Sequence, residues 1–162
     1  MTEFTVRRAC EADAEGIARM FNGLDIEDLG DEALCPFTAE VVLRDAIGSD
    51  ALLTTEVAVT GSGEVIGAAA HNLAYHSETA RHSRWLEMLF VDRDWRRHGV
   101  AQALMQAVSR AALAGGCDSV FWAVRKNNDG GAAFYDRIGA GDEAANLRVL
   151  LADGLERLAR DQ

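Results

Sequence analysis

The sequence is short of nearly everything that would mark a secreted, membrane-bound or metal-binding protein. It has one proline, Pro36, and three cysteines, Cys10, Cys35 and Cys117, an odd number with no C-x-x-C spacing. That pattern argues against a disulfide framework or a zinc site and for a reducing compartment. The four histidines, His71, His76, His82 and His98, stand at no ligand spacing with acids or thiols, so no metal is expected. No apolar run is long enough to span a bilayer. The opening "MTEFTVRRAC" lacks the apolar stretch of a signal peptide. A cytoplasmic protein without membrane partners is the expectation. Positive charge is scarce too: 16 Lys and Arg against 26 Asp and Glu leave a net charge of −10. Nucleic-acid binding is therefore not expected, because phosphates demand a basic face.

What is present is an ordinary globular composition, 49% hydrophobic over 162 residues, which suits one domain spanning residues 1–162. "FTVRRA" alternates as a strand would. Ile17, Met20, Phe21 and Leu24 then recur at helical spacing, with Asp13 placed to cap or charge the first turn. "LDIEDLGDEALCPF" reads as an acidic, irregular stretch. Thr38 opens a short helix through Ile47 that Gly48 ends. Residues 52–59 and 64–73 read as a hairpin about "GSG", which supplies positive-φ residues. A strand over residues 83–91 precedes a helix carried by Val100, Leu104, Ala107, Val108 and Ala111 and stopped at Gly115-Gly116. "SVFWAV" reads as a buried strand, "DGGAAFYDRI" as a short helix closed by Gly139, and "NLRVLLA" as a late strand. The order β α α β β β α β α β predicts an α/β sheet, largely antiparallel early, with a crossover after Ser83.

Against the overall deficit of positive charge, "DRDWRRHGVAQAL" places Arg93, Arg96, Arg97 and His98 within six residues, directly before Gly99 and an amphipathic helix. A helix N-terminus presents unpaired N–H groups and the positive end of the helix dipole, and is therefore an anion site. Gly99 permits close backbone approach, and the small Ala101 keeps the first turn open. A solvated basic loop would look the same. The stretch is neither a Walker A loop, having no GK[ST], nor a dinucleotide-binding G-x-G-x-x-G.

"RRHGVA" resembles the [QR]-x-x-G-x-[GA] pyrophosphate loop of the GNAT superfamily of acetyl-CoA-dependent N-acetyltransferases. "LEMLFV" is similar to the strand before that loop. "NNDGGAAFYDRIGA" is similar to a second family motif, N-x-x-A-x-x-F-Y-x-x-x-G, matched at Asn128, Phe134, Tyr135 and Gly139, with Gly131 in place of the alanine. The likeness runs through the whole chain. "WLEMLFV", "FYDRIGA" and "LADGLERLA" resemble the spermidine/spermine (diamine) and thialysine branch in particular.

The resemblance implies a GNAT fold with a mixed, mostly antiparallel sheet of about six to seven strands flanked by about four helices. It implies acetyl-CoA as cosubstrate, held by Leu89, Phe90 and Val91 of the strand, by Arg96, Arg97, His98, Gly99, Val100, Ala101 and Gln102 of the loop, and by Asn128 and Tyr135. Tyr135 would protonate the leaving sulfur, and a backbone N–H near Leu89, beside a bulge, would stabilise the oxyanion. An alkylamine of pKa about 10.4 is only about a thousandth neutral near pH 7, so a base is needed. Glu87 would serve as that base or position the amine. Glu27 and Asp28, with Glu87, would bind the acceptor. The diamine branch has an aromatic–acidic pair where this chain has Glu27 and Asp28, and a second acid where it has Met88. The expected acceptor is a small cationic amine such as a polyamine, thialysine or amino-acid-like molecule, and the expected assembly a homodimer. A protein lysine or N-terminal acetyltransferase, or a non-catalytic acyl-CoA-binding module, remains open.

Overall fold

The computed structural model of the chain describes residues 3–143 and 147–160. The chain divides into two units, Met1–Trp122 and Ala123–Gln162. The first holds a five-stranded sheet in the order β1-β2-β3-β4-β5, made of Phe4–Arg8, Thr54–Thr60, Val65–His76, Arg81–Val91 and Val120–Phe121. The first three pairings are antiparallel and β4–β5 is parallel. A parallel pair needs a crossover, supplied by α3, Val100–Ala114.

Helices α1, Ala14–Leu29, and α2, Ala39–Asp45, cover one face of the sheet. Ile17, Met20 and Phe21 are at most 1% exposed and pack with Val57, Val59, Val65, Ala68 and Ala70. The other face carries α3: a Cβ on Gly67 would lie 3.1 Å from Val100 and 3.2 Å from Leu104. Consecutive residues point to opposite faces, so Gly67 and Ala68 divide the two cores. Two β-bulges break that alternation. Ile66 is the extra residue between the pairs Ala58–Gly67 and Val59–Val65, and Glu87 between Ala70–Met88 and His71–Leu86.

The second unit contains α4, Asp129–Arg137, and α5, Ala152–Arg160. No residue of α4 is buried.

Several sequence expectations change. Among the described residues there are five strands rather than six or seven, and five α-helices rather than four. The acidic stretch after Leu24 is not irregular, because α1 runs on to Leu29 and Gly30–Glu32 forms a 3-10 turn. Thr38 does cap α2, accepting from the Val41 N–H at 3.3 Å, but the helix stops at Asp45. In "GSG" only Gly63 takes a positive φ, +87°. The strand read from "SVFWAV" shortens to Val120–Phe121. The late strand does not form: residues 147–151 lie outside regular structure, and Asn146 falls outside the described residues. Leu147, Val149 and Leu151 alternate as a strand should, but they are 72–76% exposed and pair with no strand among the described residues. A strand is made by its ladder, not by its pattern alone.

Candidate functional site

The loop after β4 is built around two left-handed residues. A 3-10 turn, Arg93–Trp95, leads to Arg96 in extended conformation, then Arg97 at φ +63° and Gly99 at φ +83°. Gly99 is the N-cap of α3. A Cβ there would meet nothing within 4 Å, so the glycine is required by its backbone angle and the space before it is open. Alternating backbone hands turn successive N–H groups inward, an anion-binding nest, and α3 adds the dipole of a 15-residue helix with no acid in its first turn. His98 closes the loop, its Nδ1–H donating to the Arg96 carbonyl at 2.9 Å. Val100, 1% exposed, anchors the helix to the sheet through Gly67, so its side chain is structural. Ala101 is half-buried, and Gln102 and Arg97 are exposed. These features suit a diphosphate.

Arg96 turns away from this nest. Its Nε–H donates to the Val91 carbonyl at 3.0 Å, and Nη1 and Nη2 donate to the two carboxylate oxygens of Glu27 at 3.0 and 2.6 Å. Its guanidinium lies 5.3 Å over the Phe90 ring. Arg93 adds a looser contact to Glu27 at 3.6 Å. The hydrogen bonds from Arg96 hold the Glu27 carboxyl below its ordinary range. Acids near a helix C-terminus oppose the dipole. Here the arginines of the loop after β4 offset that penalty as α1 continues through Asp25, Glu27 and Asp28. Asp25 adds a further tie, accepting from the Cys35 N–H at 2.8 Å.

On β4 the bulge sets the second feature. Glu87, the extra residue, is exposed. The Asp92 N–H donates to Ile66 of β3 at 3.0 Å. Counting back by twos, Phe90 and Met88 also face β3, and Val91 and Leu89 present their N–H groups to the opposite side. On that side β5 pairs with β4 only at Arg84 and Trp85. The Leu89 N–H therefore points into the opening where the two strands have parted.

The second unit carries the two remaining expected residues. Asn128 caps α4, its side-chain oxygen accepting from the Gly131 N–H at 2.8 Å. A Cβ on Gly131 would lie 2.7 Å from the Asn128 amide. Tyr135 is half-buried, its ring 5.2 Å from that of Phe134. Burial pushes its hydroxyl up to about 12.

His76 and His82 stand at the other end of β4 from the loop. His76 Nδ1 contacts Asp118 at 3.3 Å and Ser119 at 3.2 Å. His82 lines a surface hollow of about 330 Å³ with Tyr75, Ala80, Arg81 and Gly116. Sequence reasoning missed the partnership of Glu27 with Arg96. It also missed Gly23, whose Cβ would lie 2.8 Å from the Phe90 ring. The one available signal was the spacing of Gly23 and Glu27, one turn apart on a single helix.

The chain matches the family model described as "Acetyltransferase (GNAT) family" over residues 26–140. Among solved structures it is similar to an integron cassette protein from the mobile metagenome of V. cholerae, with 19% identity, 99% of each chain covered and a TM-score of 0.80. An aminoglycoside acetyltransferase from an uncultured soil metagenomic sample, in complex with sisomicin, matches with 16% identity, 92% and 97% coverage and a TM-score of 0.72. A ribosomal-protein-alanine N-acetyltransferase from Brucella melitensis biovar Abortus 2308 matches with 16% identity, 91% and 98% coverage and a TM-score of 0.71. At such identities the solved structures establish the fold alone. The family match covers well over half of the sequence, and the chain belongs to the GNAT family of N-acetyltransferases.

Proposed function

We propose that the protein transfers the acetyl group of acetyl-CoA to the primary amine of a small cationic acceptor, working as one domain over residues 1–162. The observation that carries this reading is the open, left-handed turn at Gly99 leading into α3. In it, the backbone from Arg97 to Gln102 and the Arg97 charge hold the diphosphate, and Asn128 the pantetheine arm. The cosubstrate supplies an activated acetyl thioester; everything else falls to the chain. The Leu89 N–H, aimed into the opening beside β4, is placed to stabilise negative charge on the acetyl oxygen. Glu87, exposed at the bulge, takes the proton from the amine directly or through water. The Tyr135 hydroxyl, at about 12, keeps its proton throughout the physiological range. A phenol so weakly acidic cannot leave its proton on a thiol of pKa about 8.5 on balance. Tyr135 therefore keeps its proton and donates a hydrogen bond to the departing thiolate, and the proton that the amine nitrogen sheds after attack passes to that sulfur.

The net charge of −10 and the exposed Glu87 support a cationic acceptor. The sisomicin-bound neighbour supports a small polyamine-like molecule, and the resemblance to the diamine and thialysine branch agrees with it. The ribosomal-protein-alanine neighbour keeps a protein N-terminus as the second reading. The exposed leucines at 147, 150, 151, 155 and 158 support a homodimer, and the three free thiols support the cytoplasm.

An acetyl-CoA consumption screen over polyamines, amino acids, aminoglycosides and protein N-terminal peptides tests this reading. A small cation is expected to turn over fastest; a peptide or an anion as the best acceptor overturns it. Tyr135→Phe keeps the ring beside Phe134 and removes the hydroxyl. It should lower kcat by about a hundredfold with little change in acetyl-CoA affinity, measured by single-turnover kinetics below pH 9 or so, where tyrosine is protonated.

A further inference from the structure

We infer that Glu27 is a positioning residue of the cofactor loop, acting through Arg96, and that Arg97 rather than Arg96 is the arginine that meets the diphosphate. The inference rests on the acetyl-CoA reading above and changes the work expected of both residues: Glu27 was the expected acceptor ligand and Arg96 a phosphate ligand.

Four side-chain positions form one continuous stack between α1 and the loop. Gly23 has no side chain, and the ring of Phe90 occupies the space beside it, 2.8 Å from where a Cβ would stand. The Arg96 guanidinium lies over that ring. One turn beyond Gly23, Glu27 receives both terminal nitrogens of Arg96 in a fork-to-carboxylate pair, while Nε holds the Val91 carbonyl at the end of β4. The planar, bidentate geometry fixes orientation as well as distance, which a lysine could not do. Swinging Arg96 toward an anion at Gly99 would break all three hydrogen bonds and the ring contact, and would leave Glu27 with only the looser Arg93. Arg97 is in the opposite condition. It is exposed, has no side-chain partner among the described residues, and sits on the left-handed backbone of the nest itself.

The arrangement divides the labour. Arg96 pins the start of the loop to α1, so the backbone from Arg97 to Ala101 is held in its anion-binding curve before the ligand arrives. Preorganisation of this kind acts on affinity by removing an ordering cost from binding. It also ties α1 to the loop, since the two cannot move independently while the pair is formed.

The test is calorimetric titration of CoA alone into wild type, Glu27→Gln, Arg96→Gln, the double variant and Arg97→Gln. Glu27→Gln is expected to weaken CoA by about three- to tenfold. The loss should persist when added salt shortens the screening length to about 3 Å at 1 M, because it is geometric rather than a long-range charge effect. In the Arg96→Gln background the Glu27 substitution should add nothing, the signature of residues acting as one unit. Arg97→Gln should weaken CoA on its own, with most of its effect removed by salt. Unchanged or tighter CoA binding in Glu27→Gln overturns the inference, as do additive losses in the double variant. An acceptor KM that rises in Glu27→Gln while CoA affinity holds returns Glu27 to the acceptor site and overturns it as well. Failure of the wild type to bind CoA is a separate result: it removes the cosubstrate reading, and this inference with it.

Discussion

Strand β4 carries charge at both of its ends, and the two ends handle it differently. Toward the loop, the Arg96 fork is fully engaged by Val91, Phe90 and Glu27. Away from the loop, Thr55 Oγ1, both ring nitrogens of His71, Asn72 Oδ1, Ser83 Oγ and Arg84 Nε are buried and have no hydrogen-bond partner among the described residues. By the strand register His71, Asn72, Ser83 and Arg84 lie toward the start of β4, and Thr55 lies opposite Ala70, level with Met88. Buried polar atoms left unpaired are costly. His71 shows the consequence most clearly. It is wholly buried on the α3 face, and burial, with Arg84 and Arg8 nearby, lowers it to about 4. One end of the strand thus holds charge in place by pairing, and at the other burial keeps His71 neutral.

The largest way to break this comparison is at the loop. Gly99→Val puts a β-branched residue at φ +83° and fills the open approach. It should lower CoA affinity on the order of a hundredfold while the sheet stays folded, read by calorimetry alongside thermal melting. Wild-type affinity in a folded variant would remove the loop as the anion site.

The opposite end yields the next effect. His71 stays neutral in the folded chain down to about pH 4, while an unfolded chain takes up the proton near 6.5. The unfolded state binds more protons between those values, so stability falls as pH drops through that window. His71→Leu removes the titrating group and two unpaired nitrogens. Its loss of stability between pH 7 and pH 5 should be smaller than the wild type's by up to ~2 kcal/mol, measured by urea unfolding at both pH values. Glu56, also buried, titrates in both proteins and cancels. Parallel pH profiles would show that His71 is not responsible.

The smallest effect tests strain within the engaged end. Arg97 holds a left-handed backbone that costs a non-glycine residue about 1–2 kcal/mol. Arg97→Gly relieves it but frees the unfolded chain, for a net gain of roughly 0.5 kcal/mol in urea unfolding. A destabilised variant would mean that the Arg97 side chain supports the fold.

Much of the fold was legible before any coordinates. The buried face of α1 at Ile17, Met20 and Phe21, the Thr38 cap, and the stop of α3 at Gly115 all depend on neighbours within about a turn or two of helix. The Gly99 turn was legible for the same reason, since a helix start after a glycine states its own geometry. The misses share a cause. The strand expected from "NLRVLLA" needed a ladder partner that no local pattern can supply. The helical end of α1 through its acids was not legible because a helix C-terminus disfavours negative charge, and nothing within the segment reverses that.

The sequence by itself determined the element order up to the second family motif and the left-handed glycine turn before α3. These follow from short-range backbone and side-chain preferences, whereas the roles proposed for Glu87 and Tyr135 rest on the resemblance to the family. Only the tertiary structure decided what Glu27 and Arg96 do, because 69 residues separate them, and their pairing exists only once β4 lies across α1. It also decided that Glu87 occupies a bulge and that Leu89 faces the gap beside β5, since a one-residue shift of register would turn every side chain and N–H group of the strand to the other side.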